Sequence, residues 1–371
     1  MTIAASDTSP DSALELIRVA PLYPVAPLLR SMGYEPTPVF NAAGLDPADF
    51  LDIDHRIPYL KGARLLERCV TVTGNDQFGL LVGQRFSVAQ MGLPGHLAGT
   101  ALNVAGALKD ITNYLGLHDQ GGVATLHRSA RYTAFGYAIS TPDIPAADQI
   151  QDLCIAAICR ILRSFCGAHW HPIRVELCRS APCDPQPYKA FFRAPLSFDS
   201  PTSCVVFSNK WLAQSLPTAD SPSHSRFGAD ALNLREAMPN SMSANVRRTL
   251  YSQFNSGPCN AGAVAELLGY HERTLHRRLQ REGSSFRQLL DETRKVSSNN
   301  YLKYTNLPIS KIASALGYGS TDAYDHAFKR WYGRSPRQWR ASERGTANDP
   351  ALCGQKALRQ GSDQRGANGG T

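Results

Sequence analysis

A short pattern occurs twice near the C-terminus, and its spacing permits few folds. The first copy reads Val264-Ala265-Glu266-Leu267-Leu268-Gly269-Tyr270, followed by Arg273-Thr274-Leu275-His276-Arg277-Arg278-Leu279. The second reads Ile312-Ala313-Ser314-Ala315-Leu316-Gly317-Tyr318, followed by Ala323-Tyr324-Asp325-His326-Ala327-Phe328-Lys329-Arg330. In each copy a small alanine sits where two helices would cross closely. A glycine four residues later supplies a turn at positive φ. Leu275 and Tyr324 are spaced to plug the second helix back onto the first. One Ala-x-x-x-Gly arises readily by chance. Two in tandem, each followed by a basic amphipathic helix, predict paired helix-turn-helix units that bind DNA.

The offset between the copies is 48 residues at Gly269 and Gly317, 49 at Leu279 and Phe328, and 50 at Gly283 and Gly333. A duplicated module with a slightly longer second turn and second recognition helix explains the drift. Between the copies, Phe286, Leu289, Leu290, Val296 and Leu302 predict a long connecting helix from Phe286 to Tyr304.

Charge follows the same division. Residues 241–345 carry 17 Lys/Arg against 8 Asp/Glu, whereas residues 1–240 carry 19 against 21. The net charge of +8 is therefore concentrated where the two motifs lie. That distribution suits contacts to phosphate, which supply affinity and little sequence information. Nine cysteines, none in a C-x-x-C pair, are too sparse in 371 residues to act as a disulfide framework. Free, mostly buried thiols in a reducing cytoplasm are expected, with no signal peptide and no membrane span.

The N-terminal part reads as a different class. Helices are expected over 22–32, 59–73, 100–115 and 150–165, with a further helical start at Asp46-Pro47 and a short apolar run over 78–86. Alternation in Val123–His127 and Tyr132–Ile139 predicts a hairpin. Ile173–Leu177 and Cys204–Phe207 read as strands. The expected fold is an α+β N-terminal sensor domain followed by an all-α domain of two helix-turn-helix lobes joined by a long helix. The expected divisions are a disordered 1–15, a ligand-sensing and dimerisation domain over 16–215, a linker over 216–240, a DNA-binding domain over 241–344 and a disordered tail over 345–371. Within the linker, 226–237 reads as a connecting helix.

The run Ile309-x-x-Ile312-Ala313-x-x-x-Gly317-Tyr318, then Phe328-Lys329-Arg330-x-x-Gly333-x-Ser335-Pro336-x-x-Trp339-Arg340, closely resembles the C-terminal signature of AraC-type transcriptional regulators. Arg273-Thr274-Leu275 and Arg278-Leu279-x-x-Glu282-Gly283-x-Ser285-Phe286 resemble that family's first helix-turn-helix. Asn41-Ala-Ala-Gly44-Leu45, Arg56-Ile57-Pro58, Thr73-Gly74-Asn75-Asp76, Phe78-Gly79-Leu80 and Gly92-Leu93-Pro94-Gly95 resemble the family branch with an arabinose-binding-like sensor. The resemblance implies a non-enzymatic, metabolite-responsive regulator. It would be an activator acting as a homodimer on direct repeats in promoter DNA and engaging RNA polymerase. One departure stands out: the family's usual arginine in the second recognition helix is His326 here.

On the first recognition helix the residues opposite the plug are Arg273, Thr274, His276, Arg277, Gln280 and Arg281. Arg273 and Arg277 lie one turn apart and are placed either for guanine O6 and N7 or for phosphate. On the second helix the exposed set is Thr321, Asp322, Asp325, His326 and Lys329. Asp322 either accepts from cytosine N4 or caps the helix. No cofactor and no catalytic constellation is expected. His169-Trp170-His171 with Cys154, Cys159 and Cys166 lacks a clean ligand face for a metal. The alternative reading is a redox or alkylation sensor using Cys154, Cys159, Cys178 or Cys183 ahead of the same DNA-binding domain. It requires an exposed thiolate of low pKa.

Overall fold

The computed structural model describes residues 15–238, 241–254 and 259–345. The expected disordered stretches at the two ends therefore fall almost wholly outside the described residues. A five-stranded sheet organises the N-terminal domain. Its strands are β3 (Gly122–Arg128), β4 (Tyr132–Ile139), β5 (Arg174–Glu176), β6 (Leu196–Ser197) and β7 (Cys204–Ser208), in the order β3-β4-β7-β5-β6. All neighbours are antiparallel except β5 and β6. The hairpin register sets Val123 opposite Ala138 and Ala124 opposite Tyr137. Phe135, Tyr137 and Ile139 consequently share one face and enter the main core.

The helix Ala147–Cys166 covers that face, burying Ile155, Ala156, Cys159 and Leu162 completely. A second, two-stranded sheet pairs β1 (Leu16–Arg18) with β2 (Arg56–Pro58). The helix Tyr59–Thr73 follows at once, ended by Gly74 at φ 65. Expected helices elsewhere are adjusted by local chemistry. Pro21 and Pro24 confine the start of the first to a 3-10 turn over Ala20–Leu22, and the α-helix runs Val25–Ser31. The helix expected over 100–115 instead begins at Val104, because Ala101 is extended and the Asn103 side chain caps Gly106. A separate helix, Leu93–Thr100, precedes it.

The stretch expected as linker is mostly one helix, Ser221–Ala237. It lies on the N-terminal domain, where Ala231, Phe227 and Met238 pack with Leu97, Leu117 and Leu93. Beyond it, Ser241 caps the helix Met242–Gln253, which opens the C-terminal domain. The two helix-turn-helix lobes have separate cores, one around Leu275 and Leu279 and one around Tyr324 and Phe328.

The C-terminal domain docks on the face of the sheet opposite Ala147–Cys166. Tyr251 and Phe254 pack with Val123, and Ala138 lies against them. Tyr301 Oη donates to the Pro201 carbonyl at 2.8 Å and Tyr304 Oη to the Ile144 carbonyl at 3.0 Å. The Ser180 amide donates to the Tyr304 carbonyl at 2.7 Å.

A charged contact reinforces this junction. Arg248 is half-buried beside Asp119 and Glu15, and its guanidinium lies against the backbone of Gly116. Asp119 accepts from Tyr137 Oη at 2.6 Å and from the Gly121 amide at 2.8 Å. Tyr137 Oη also lies 2.9 Å from Tyr59 Oη. Burial outweighs these donors and Arg248, and pushes Asp119 up to about 6. A carboxyl raised in the folded state binds its proton more tightly there than when unfolded. Its stabilisation is present below about pH 4 and is lost as pH rises through about 6. Asp119→Asn is therefore expected to flatten the stability profile between those values by roughly 2–3 kcal/mol. Denaturant unfolding of both proteins across that window checks it, and parallel profiles would exclude the assignment.

Candidate nucleic-acid interface

Each lobe derives its shape from the duplicated pattern. In the first, Asn260 caps the helix Ala261–Leu267, and Gly269 adopts φ 75. The recognition helix Glu272–Arg281 follows. Val264, Ala265, Leu275 and Leu279 are all 0% exposed, so the alanine is indeed where the two helices meet and Leu275 is the plug. In the second lobe Ile309–Ala315 leads through Gly317, φ 70, to Thr321–Tyr332. Tyr324 fills the place of Leu275, and its hydroxyl lies 2.6 Å from Ser298 Oγ on the connecting helix Phe286–Tyr304. The second turn and second recognition helix are both longer than the first, as the drifting offset requires.

With the apolar stripe buried, the opposite face of each recognition helix is set. Arg273, His276, Arg277, Gln280 and Arg281 are exposed on the first and Thr274 is half-buried. His276 pairs with Glu272 at 3.4 Å, one turn earlier. Arg273, Arg277 and Arg281 have no ion-pair partner among the described residues. On the second helix Thr321, Asp322, His326 and Lys329 are exposed and Asp325 is half-buried. Lys329 Nζ sits 2.7 Å from Asp325. Asp322 is not the cap: Ser320 accepts from the Ala323 amide, and Asp322 occupies the first turn.

Sequence reasoning missed the residues that hold each turn in place. Arg278 stacks on Tyr270 at 4.4 Å and donates to its hydroxyl at 3.0 Å. In the second lobe Arg294 stacks on Tyr318, also at 4.4 Å. It donates to the Leu316 and Gly317 carbonyls at 2.9 and 3.0 Å, closing the end of Ile309–Ala315. Asp291 accepts from Arg330 and from Trp331 Nε1, both at 2.8 Å, and ties the second recognition helix to the connecting helix. The repeated Gly-Tyr was the available signal for a stacked guanidinium, but nothing in the spacing names Arg294 as its source.

The sequence that builds these two tandem lobes matches known families. Residues 33–216 match the model described as the arabinose-binding domain of AraC transcription regulator, N-term, and residues 264–342 match a helix-turn-helix domain model. The chain belongs to the AraC-type transcriptional regulators. It is 27% identical over 331 residues to the HTH-type transcriptional regulator VirS of Mycobacterium tuberculosis, covering 88% of this chain and 96% of that one. It is 24% identical over 332 residues to the ornithine utilization regulator of Pseudomonas aeruginosa, with 88% and 96% covered. Over 96 residues it is 40% identical to the urease operon transcriptional activator of Escherichia coli, covering 26% of this chain and 32% of that one. As an AraC-type protein it is a DNA-binding regulator of transcription and not an enzyme.

The thiol alternative meets chemistry that opposes it. Burial pushes Cys159 up to about 11 and Cys178 up to about 12, and raises Cys154 well above its ordinary value. Cys183 is disulfide-bonded, which corrects the expectation that the thiols are all free. His169 and His171 are exposed while Trp170 between them is fully buried. Among the described residues no group of three or more His, Cys, Asp or Glu side chains is arranged to hold a metal. Among them, too, no helix is long and apolar enough to cross a membrane.

The position of Arg277, exposed and one turn beyond Arg273, gives a direct test of base readout. Arg277→Ala is expected to weaken binding to a cognate site by about 1–3 kcal/mol and to relax preference at one base pair. Competition binding with cognate and single-substituted duplexes measures both. An equal loss on every sequence would make Arg277 a phosphate contact.

Proposed function

We propose that this AraC-type protein is a sequence-specific activator of transcription, controlled by a small metabolite bound in its N-terminal domain. It acts as a cytoplasmic homodimer. Each chain reads two adjacent major-groove segments about 34 Å apart on one DNA face, and the dimer reads a direct repeat of that element. Arg273 and Arg277 take guanine edges. Thr274, His276, Gln280 and Arg281 on the first helix, and Thr321, Asp322, His326 and Lys329 on the second, supply the remaining base and phosphate contacts. Asp325 orients Lys329. RNA polymerase is the downstream partner.

The observation that carries this reading is the pair of recognition helices, each with its apolar stripe buried and its polar face exposed. The name of the E. coli relative favours activation, and that of the P. aeruginosa relative favours control linked to a metabolite. The docked Arg248 junction offers a route by which an occupant of one domain biases the other.

Selection of bound duplexes from a random pool by the full-length protein tests the proposal. The expected product is a motif of two elements one helical turn apart, present as a direct repeat. Log affinity for it should fall linearly with log salt, by about 0.9 per phosphate neutralised. A pool that yields no motif, or an affinity indifferent to salt, would refute sequence-specific binding.

A further inference from the structure

An open cleft of about 510 Å³ lies between the small β1/β2 sheet and the last turn of the helix Ser221–Ala237. Its size falls within the range of metabolite sites. Met91, Leu93, Leu117, Leu234 and Met238 make its walls apolar, and two arginines, Arg18 and Arg56, enter from the paired strands. They are not balanced. Arg18 pairs with Asp54 and donates to the Gln90 carbonyl at 2.9 Å. Arg56 donates through Nη2 to the Leu117 carbonyl, while its Nη1 is buried with no hydrogen-bond partner. Two guanidiniums thus face one carboxylate in a partly desolvated place.

The neighbouring histidine does not add to the excess. His118 is 5% exposed and is driven down to about 3 by burial and then by the charges of Arg18 and Arg56, so it is neutral and adds no second cation. Its Nδ1 is also unpartnered. An orphaned buried donor on a cation is costly to leave unmatched, and an anion that reached it would recover charge-assisted hydrogen bonds.

We infer that this cleft is the effector site and that it takes a monocarboxylic acid with a compact apolar body. This rests on the reading of the N-terminal domain as a metabolite sensor. The carboxylate supplies the missing negative charge at Arg56. The body lies along Met91, Leu117 and Leu234, and covers Leu234, which is 52% exposed. A cation is repelled, and a polyol finds apolar walls where its hydroxyls need partners. Leu234, Ala237 and Met238 belong to the turn that leads into the DNA-binding domain, so an occupied cleft bears directly on the connection between sensor and reader.

Calorimetric titration of the full-length protein with octanoate and benzoate, each beside its amide, tests the inference. At least one acid should bind saturably, and at least tenfold more tightly than its amide. Leu234→Glu sets a like charge at the exposed mouth of the cleft without disturbing a buried group, and should weaken the acid at least tenfold. Arg56→Gln should do the same. Should Arg56→Gln fail to fold, Leu234→Glu decides alone. Equal affinity for acid and amide, no binding by either acid, or an acid site unmoved by Leu234→Glu would overturn the assignment. So would Leu234→Glu dissociating a dimer while leaving acid binding intact, because the face would then belong to a second copy. The wider sensor reading fails separately, if no metabolite of any class changes affinity for a selected DNA site. A metabolite that does change it equally in wild type and Leu234→Glu removes this cleft and keeps the sensor.

Discussion

Leu275→Ala is expected to destabilise the first lobe by about 2–5 kcal/mol and to remove most specific DNA binding, while the N-terminal domain and the second lobe stay folded. Leu275 is 0% exposed and packs among Val246, Val264, Ala265, Leu279 and Leu289. That cluster is small and shares no buried residue with the cluster around Tyr324 and Phe328. A lobe of this size has little stability to spare, so the loss falls on its own folding equilibrium. Hydrogen exchange should show protection lost over residues 242–289 and kept in the sheet and in Thr321–Tyr332. Leu267→Ala serves as the control. Leu267 ends the preceding helix Ala261–Leu267 and is 58% exposed, and its replacement should change stability by less than about 0.5 kcal/mol. DNA binding within twofold of wild type in a Leu275→Ala protein that is destabilised as expected would show that the first lobe is dispensable.

Local signals made the C-terminal domain readable. Ser285 caps Phe286–Tyr304 from one side, Gly269 and Gly317 place both turns, and the plugs at Leu275 and Tyr324 repeat the same geometry. Tyr59–Thr73 was legible for a similar reason, bounded by Pro58 and Gly74. What escaped notice was non-local or polar. Strand β1 is three residues long and owes its existence to β2, some forty residues away, so neither strand shows alternation of its own. The first turn of Ser221–Ala237, Ser-Pro-Ser-His-Ser, reads as plain linker, whereas 226–237 already reads as a connecting helix. The whole segment is helical because a few side chains, Ala231 foremost, dock on the N-terminal domain. The clamp at Arg294 and the pairing of Arg18 with Arg56 require chain segments to meet that no motif joins. The exposed faces of the recognition helices follow directly from the buried plugs, which is why those residues were legible while their supports were not.

Scrambling the DNA facing the first lobe is expected to cost more affinity than scrambling the segment facing the second, by several kcal/mol if three or more base pairs change. The first recognition helix presents Arg273, Arg277 and Arg281 with no ion-pair partner among the described residues. The second has spent its cations internally. Lys329 is held by Asp325 at 2.7 Å and Arg330 by Asp291 at 2.8 Å, and Asp322 adds a negative charge near the helix start. Drawing Lys329 or Arg330 to phosphate would first break one of these pairs, whereas the first helix meets the backbone at no such cost. His326 is exposed on the same face, where the related signature carries arginine. His326→Arg should therefore strengthen binding to cognate and random duplexes alike and steepen the salt dependence by about one phosphate's worth, the mark of a backbone contact. Asp325→Asn should act in the same direction by releasing Lys329, and the two gains should add if the side chains reach different phosphates. Affinities of the three proteins for intact, half-scrambled and fully scrambled sites, each at several salt concentrations, resolve these effects. Equal losses from the two half-scrambles, with no gain from either substitution, would mean that the second lobe reads its segment through Asp322 and Asp325 as fully as the first does through its arginines.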